Sequence, residues 1–223
     1  MTETQFGYAN ISETDPVGNQ QIYNTLLKTA LIERAKSRGL SDDDATIDKL
    51  ANHIISYLTD KTDFYTSPAS LKYHEAFTGG LVFHSLCVYN RMLELIKIPS
   101  FQNIDVASAT LVALTHDWCK IGKYDTYLKN IKNEDGEWVQ QQAYKYAEDH
   151  MGLGHSTQSL IMVMQFCTSK YTKLTFDEMA AIRWHMYTWD MSDYDKEDMN
   201  KCNNNIPMVK LIQFADQLAC TNF

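Results

Sequence analysis

Histidine and aspartate stand side by side in the run Ala113-Leu114-Thr115-His116-Asp117-Trp118-Cys119-Lys120, at the end of an apolar segment. A neutral imidazole and a carboxylate offered together can bind one cation. Further residues of ligating type lie far off in the chain: His84, His155, His185 and Asp216. His84, His116, Asp117 and Asp216 form a mixed nitrogen and oxygen set, which suits Mn²⁺, Fe²⁺, Co²⁺, Ni²⁺ or Zn²⁺ better than a thiolate-selecting site would. His155 and His185 extend the set toward a second cation, with Asp117 as the bridge. Two cations about 3.5–4 Å apart can share a hydroxide and polarise a phosphoryl oxygen. The expected cofactor is therefore one or two divalent transition metals. Any single buried histidine is more often a hydrogen-bonded core residue than a ligand; the joint pattern carries the expectation, and the fold must bring its members together.

The elements that would do so read as helices. Pro16 opens one at about Val17, and Ile22, Leu26, Leu27, Ala30 and Leu31 recur at helical spacing until Gly39. Ser41 and Asp44 suggest a capping box for a second helix with Ile47, Leu50, Ile54, Ile55 and Leu58 on one stripe, and His53 lies inside it as a structural or exposed residue. The polar stretch 59–70 reads as a connection. Gly79-Gly80 then starts a helix that carries His84 and stops by Pro99. Val106 to Thr115 is nearly all apolar or small, a buried central helix that ends on His116 and Asp117.

Between Tyr124 and Tyr146 the pattern changes to β-prone flanks around Asn133-Glu134-Asp135-Gly136, a small hairpin able to cover a site entrance. Its aromatic residues Tyr127, Trp138, Tyr144 and Tyr146 would pack there or stack on a base. After Gly154-His155, the run Leu160 to Met164 indicates a buried helix with Met162 and Met164 in the core. Thr175 and Glu178 form a second capping box, for a helix ending near His185. The acidic residues Asp190, Asp193, Asp195, Glu197 and Asp198 read as a solvated loop, since their spacing misses the calcium-loop pattern. Pro207 starts a final helix in which Asp216 sits among apolar residues and needs a partner. The expected organisation is an N-terminal helical lead over 1–67, packed on a main unit over 68–223.

Composition excludes several classes. The chain of 223 residues has a formal net charge of −8, which argues against an extended nucleic-acid surface. No apolar run of about 18 residues is present and the start Met1-Thr2-Glu3-Thr4 is not a secretory signal, so the expectations are no membrane partner and a cytoplasmic location. Five scattered cysteines without a C-x-x-C pair point to free thiols.

The motifs resemble the HD-domain metal-dependent phosphohydrolase superfamily, in the order His84, His116-Asp117, Asp216, over roughly residues 68 to 220. The run Tyr73-His74-Glu75-Ala76-Phe77-Thr78-Gly79-Gly80-Leu81-Val82-Phe83-His84 is similar to a Tyr-His-x-Ala-x-x-Gly-Gly-Leu-x-x-His run in small bacterial and phage HD hydrolases and in the HD domain of a 3′ to 5′ exoribonuclease. The superfamily's His-Asp-x-Gly-Lys reads here His116-Asp117-Trp118-Cys119-Lys120, and its Gly-His and Trp-His positions read Gly154-His155 and Trp184-His185. Cys119 in place of glycine leaves the ligands intact and bears on how closely substrate approaches Lys120.

The resemblance implies an all-α fold, an HD-domain helical bundle with a small β-hairpin insertion near residues 124–146. It implies a phosphohydrolase acting on a phosphoester or phosphoanhydride of a small nucleotide-like substrate, with Asp117, Lys120 and His74 as catalytic residues. Lys120 would offset charge on the phosphoryl group, Lys123 and His74 would contact substrate, and His74 would alternatively be a general acid. A 3′ exonuclease, a cyclic-dinucleotide phosphodiesterase, a di-iron oxygenase on the same scaffold and a binding-only fold are the alternatives. A homo-oligomer is compatible with all of them.

Overall fold

A computed structural model describes residues 6–40, 44–148, 152–187 and 192–220. The chain is mostly helical, with one two-stranded antiparallel sheet among the described residues. Helix α1 (Pro16–Ser37) starts as its sequence dictates: Asp15 accepts from the Gly18 N–H at 2.9 Å, and Pro16 occupies the first turn. Helix α2 (Asp44–Asp60) buries Ile47, Ala51, Ile54 and Leu58. Ser41, the expected cap, lies outside the described residues, and His53 is exposed on α2.

Helix α3 (Gly80–Leu95) stops four residues before Pro99, and α4 (Val106–Thr115) follows after a cap by Asp105. Every residue of α4 from Ala107 onward is buried, because α1, α3, α6 and α8 all pack around it. The 3₁₀ turn Trp118–Lys120 leads into strands β1 (Tyr124–Lys132) and β2 (Trp138–Tyr146), paired from Tyr124↔Tyr146 to Lys132↔Trp138. Beyond them come α5 (His155–Phe166), α6 (Phe176–Trp184), α7 (Asp195–Asn205) and α8 (Pro207–Ala219). The Thr175–Glu178 capping box is present at α6.

The N-terminal helices share the hydrophobic core of the rest. Tyr23 of α1 donates its hydroxyl to the Leu114 carbonyl at 2.8 Å and accepts from the Trp118 indole N–H at 3.1 Å, so α1 grips the chain on both sides of His116 and Asp117. Arg34, also on α1, pairs with Glu178 of α6, and both side chains are fully buried.

Three expectations need correction. The stretch 59–70 is no passive connection: Phe64, Tyr65, Ser67 and Ala69 are buried, and its backbone pairs with the start of α3 through Gly79 N–H to Thr66 O and Leu81 N–H to Ser67 O. Of the apolar run on α5 only Val163 is fully buried, while Ile161 and Met164 are exposed; α5 lies at the surface and covers the core with one face only. The acidic run is a loop only in part: Asp193 lies in an exposed turn, and helix begins at Asp195. Asp195, Glu197 and Asp198 form the first turn of α7, where the positive end of the helix dipole favours carboxylates; Asp190 lies outside the described residues.

Candidate metal centre

The backbone around each ligating side chain is held by features legible in the residues. Gly79 adopts φ +84° and Gly80 starts α3 so close to the preceding loop that a Cβ there would lie 1.9 Å from the Glu75 carbonyl oxygen. Only glycine fits, and His84 follows one turn later. His116 keeps helical angles at the end of α4 (φ −57°, ψ −31°), whereas Asp117 leaves the helix (φ −109°, ψ 20°). Gly154, at φ 82° and ψ 141°, takes a conformation open essentially to glycine alone and sets His155 as the first residue of α5. His185 caps the C-terminal end of α6, and Asp216 sits in α8.

These side chains converge. One oxygen of Asp117, Oδ2, lies 3.5 Å from His84 Nε2 and 3.6 Å from His116 Nε2; the other, Oδ1, lies 2.6 Å from His155 Nε2 and 3.5 Å from His185 Nε2. Asp216 Oδ1 is 3.1 Å from His84 Nε2 and 3.9 Å from His116 Nε2. In each of the groups His84/His116/Asp117, His116/His185/Asp216 and Asp117/His155/His185, the nitrogen and oxygen atoms lie within 4.8 Å of one another. All six residues proposed as ligands therefore meet at one place.

The far side of two of the rings sets their tautomer. His116 Nδ1 lies 2.8 Å from the Ala113 carbonyl and His185 Nδ1 lies 2.7 Å from the Ile182 carbonyl. A carbonyl only accepts, so Nδ1 carries the proton and Nε2 turns a lone pair toward the centre. His84 Nδ1 faces the Glu75 carboxylate at 3.5 Å. The inward atoms His84 Nε2, His116 Nε2 and His185 Nε2 are buried and make no hydrogen bond among the described residues. Buried polar atoms without partners are costly, and the His116 and His185 lone pairs, with His84 Nε2 and two carboxylates beside them, form a donor set that suits a divalent cation. These buried groups can hold a metal ion.

Electrostatics agree with the geometry. Burial alone would raise the Asp117 carboxyl, but Lys120, His116 and His155 outweigh it and hold it well below the usual range. Asp216 is likewise lowered against its burial, by His84 and His116. Burial pushes His116 down to about 4 despite both carboxylates. At His84 burial is overcome by Asp216 and Glu75, which hold the ring up at about 9. Lys120 Nζ lies 2.6 Å from Asp117 Oδ2, and that pairing raises its pKa against burial.

A cavity of 680 Å³ opens onto the centre. Asp117, His155, His185 and Asp216 line it, together with Lys120, Lys123 and His74. The His74 ring is 5.2 Å from the ring of His84, and burial, then His84 and Lys120, lower its pKa. Cys119 is buried outside the cavity wall, its N–H donating to Ser159 Oγ at 3.1 Å. At the mouth stand Tyr124 and Tyr146. Of the hairpin aromatics expected to cover the entrance, only Tyr146 reaches it; Tyr127 and Trp138 are exposed elsewhere and Tyr144 is buried.

Sequence reasoning missed Glu75, Tyr124 and Cys220. Glu75 stands at a variable position of the motif run, and its carboxylate just before Gly79-Gly80 was the available signal. Tyr124 directly follows Lys123 at the hairpin's start. Cys220 lies one turn beyond Asp216 and groups with His74 and His84 within 4.8 Å.

No family model, curated protein or solved structure matches this chain. Among the described residues no helix is long and apolar enough to cross a membrane, and the cysteines they contain are free thiols.

Proposed function

We propose that the chain is an HD-type metal-dependent phosphohydrolase, its helices forming the HD bundle, and that it cleaves a phosphoester or phosphoanhydride of a small nucleotide-like substrate. The observation that carries this reading is Asp117, whose two oxygens face two different pairs of imidazole nitrogens. Cations held by His84, His116, Asp117 and Asp216, and by Asp117, His155 and His185, would supply Lewis acidity toward a phosphoryl oxygen and a nucleophile at neutral pH.

The chain's own residues do the remaining work. Asp117 would serve both ligand sets, and Lys120, kept protonated at Nζ, both orients its carboxylate and offsets negative charge growing on a phosphoryl group in the cavity. Lys123 adds a second cation to the cavity. Burial, then His84 and Lys120, lower the His74 pKa, which favours a hydrogen-bond contact to substrate over the general-acid role. The cavity volume falls within the range of small-molecule sites, about 300–1,000 Å³, and the net charge of −8 disfavours a long polynucleotide. A lysine cation in the cavity also favours phosphoryl chemistry over a di-iron oxygenase.

The test is metal analysis joined to a substrate panel. With Mn²⁺, Co²⁺ or Ni²⁺ the protein is expected to bind one or two equivalents and to release phosphate or pyrophosphate from nucleotides, with Asp117→Ala lowering turnover by about a hundredfold or more. No release from nucleotides, cyclic dinucleotides or short RNA would remove the hydrolase. Oxygen consumption without phosphorus chemistry would put the oxygenase in its place.

A further inference from the structure

The hairpin is exposed along most of its length, yet its first rung behaves differently. Tyr124 and Tyr146 are directly paired across the strands, and both line the cavity that exposes Asp117, His155, His185 and Asp216. Directly opposed residues share one face of a ribbon, so the two rings stand together, with centroids 5.8 Å apart and planes inclined at 32°. Tyr146 is not used up by packing, keeping 57% of its surface exposed, and Tyr124 is half-buried. Lys123 Nζ stands 6.0 and 5.9 Å from the two ring centroids, at the outer limit of a cation–π contact.

The other hairpin aromatics have different duties. Tyr144 shares this face but is buried, its hydroxyl taking a hydrogen bond from Gln142 at 3.0 Å and lying 3.4 Å from Thr78 Oγ1, which fastens the hairpin to the body. Tyr127 lies on the opposite face by strand parity, and Trp138 closes the far end of the ladder. Only the first rung is presented to the cavity.

Chemical character therefore changes in order along one short run of chain. Asp117 sits at the centre, Lys120 pairs with it, Lys123 follows one turn on with its N–H donating to the Lys120 carbonyl at 3.2 Å, and Tyr124 comes next. Carboxylates and imidazoles with two lysine cations beside them suit the phosphate end of a nucleotide, and two aromatic faces beyond the cations suit its base. We propose that Tyr124 and Tyr146 form a stacking site for the nucleobase of the substrate, so that the hairpin selects nucleotides over other phosphoesters. The inference rests on the hydrolase reading for the phosphate end alone.

Two measurements test it. The first is the ratio of kcat/KM for 5′-nucleoside monophosphates to that for ribose 5-phosphate, with Mn²⁺, in the wild type and in Tyr146→Ala, Tyr124→Leu and Tyr146→Phe. Loss of one stacking partner is expected to lower the ratio about tenfold, chiefly through KM, whereas Tyr146→Phe keeps it within about twofold, because a base stacked on an aromatic ring gains its affinity from the ring face. The second is calorimetric binding of purine and pyrimidine nucleosides to metal-free protein, expected in the wild type and lost in Tyr146→Ala. A ratio unchanged in both Tyr146→Ala and Tyr124→Leu, with turnover intact, overturns the stacking site and leaves the hydrolase standing. Nucleoside binding that depends on Tyr146 without phosphate release from any substrate supports the stacking site and removes the hydrolase. Absence of both nucleoside binding and nucleotide preference in the folded wild type overturns the inference.

Discussion

At the scale of single residues, the centre depends on groups that touch no substrate. Glu75 shows this most clearly. It adopts φ +46°, rare for a residue with a side chain, its carbonyl accepts from the Ala69 N–H, and its carboxylate faces the outer nitrogen of His84. His116 and His185 receive the same service from backbone carbonyls, which no substitution removes. Glu75→Gln is therefore expected to weaken the first cation site, lowering its affinity by about 10–100-fold, while the site of His155 and His185 keeps its own. Titration calorimetry resolves the two; equal loss at both sites would mean that Glu75 acts on the fold and not on His84. The clustered histidines and aspartates were legible in the sequence through their joint pattern, since any one buried histidine alone is more often a core residue. Glu75 was not, since its effect passes through one ring to the far nitrogen and through a backbone conformation that no spacing encodes.

Elements set the next level, and here the tie between α1 and α6 matters most. Arg34 Nη2 donates to Glu178 Oε2 at 2.6 Å, Nη1 donates to the Thr172 carbonyl at 3.1 Å, and the same carboxylate accepts the Thr175 N–H that caps α6. Burial would raise the Glu178 carboxyl, but Arg34 outweighs it and holds the pKa below its ordinary value of 4.5. A carboxyl lowered on folding contributes stability that is complete above the unfolded value and is lost as the pH falls through the folded one. Glu178→Gln should cost about 3–5 kcal/mol at pH 7, because Arg34 is left buried without a counter-charge. In urea unfolding the gap between variant and wild type is expected to narrow as the pH is taken below 4.5; a gap that stays constant would show that the carboxylate charge contributes nothing. The sequence revealed the capping box here, a local pattern, but not the arginine 144 positions away that completes it. The same division explains α5 and α7. A run such as Leu160 to Met164 specifies apolar character, and only the placement of neighbouring helices decides which of its faces is covered.

For the molecule as a whole, the fold is a shell of helices around α4, with the hairpin projecting from the chain segment that leaves it. The helical class and the hairpin were readable from periodicity and turn residues. The largely buried stretch 64–70 was not, because its backbone contacts to Gly79 and Leu81 are tertiary. The arrangement of the six clustered histidines and aspartates, in contrast, has a dynamic consequence for a cation bound there. They arrive from α3, α4, α5, α6 and α8, at positions running from 84 to 216, so no early fragment of the chain owns a complete coordination set. A cation can then do nothing for the search that precedes the native state and can act only as a latch on the way out. Saturation at about a hundred times the dissociation constant, worth about 2.7 kcal/mol, should leave the refolding rate unchanged and slow unfolding by about a hundredfold, as stopped-flow measurements with and without Mn²⁺ would register. Longevity against proteolysis and heat would then depend on the cation's residence time, and depletion would shorten the protein's lifetime without impairing its capacity to form.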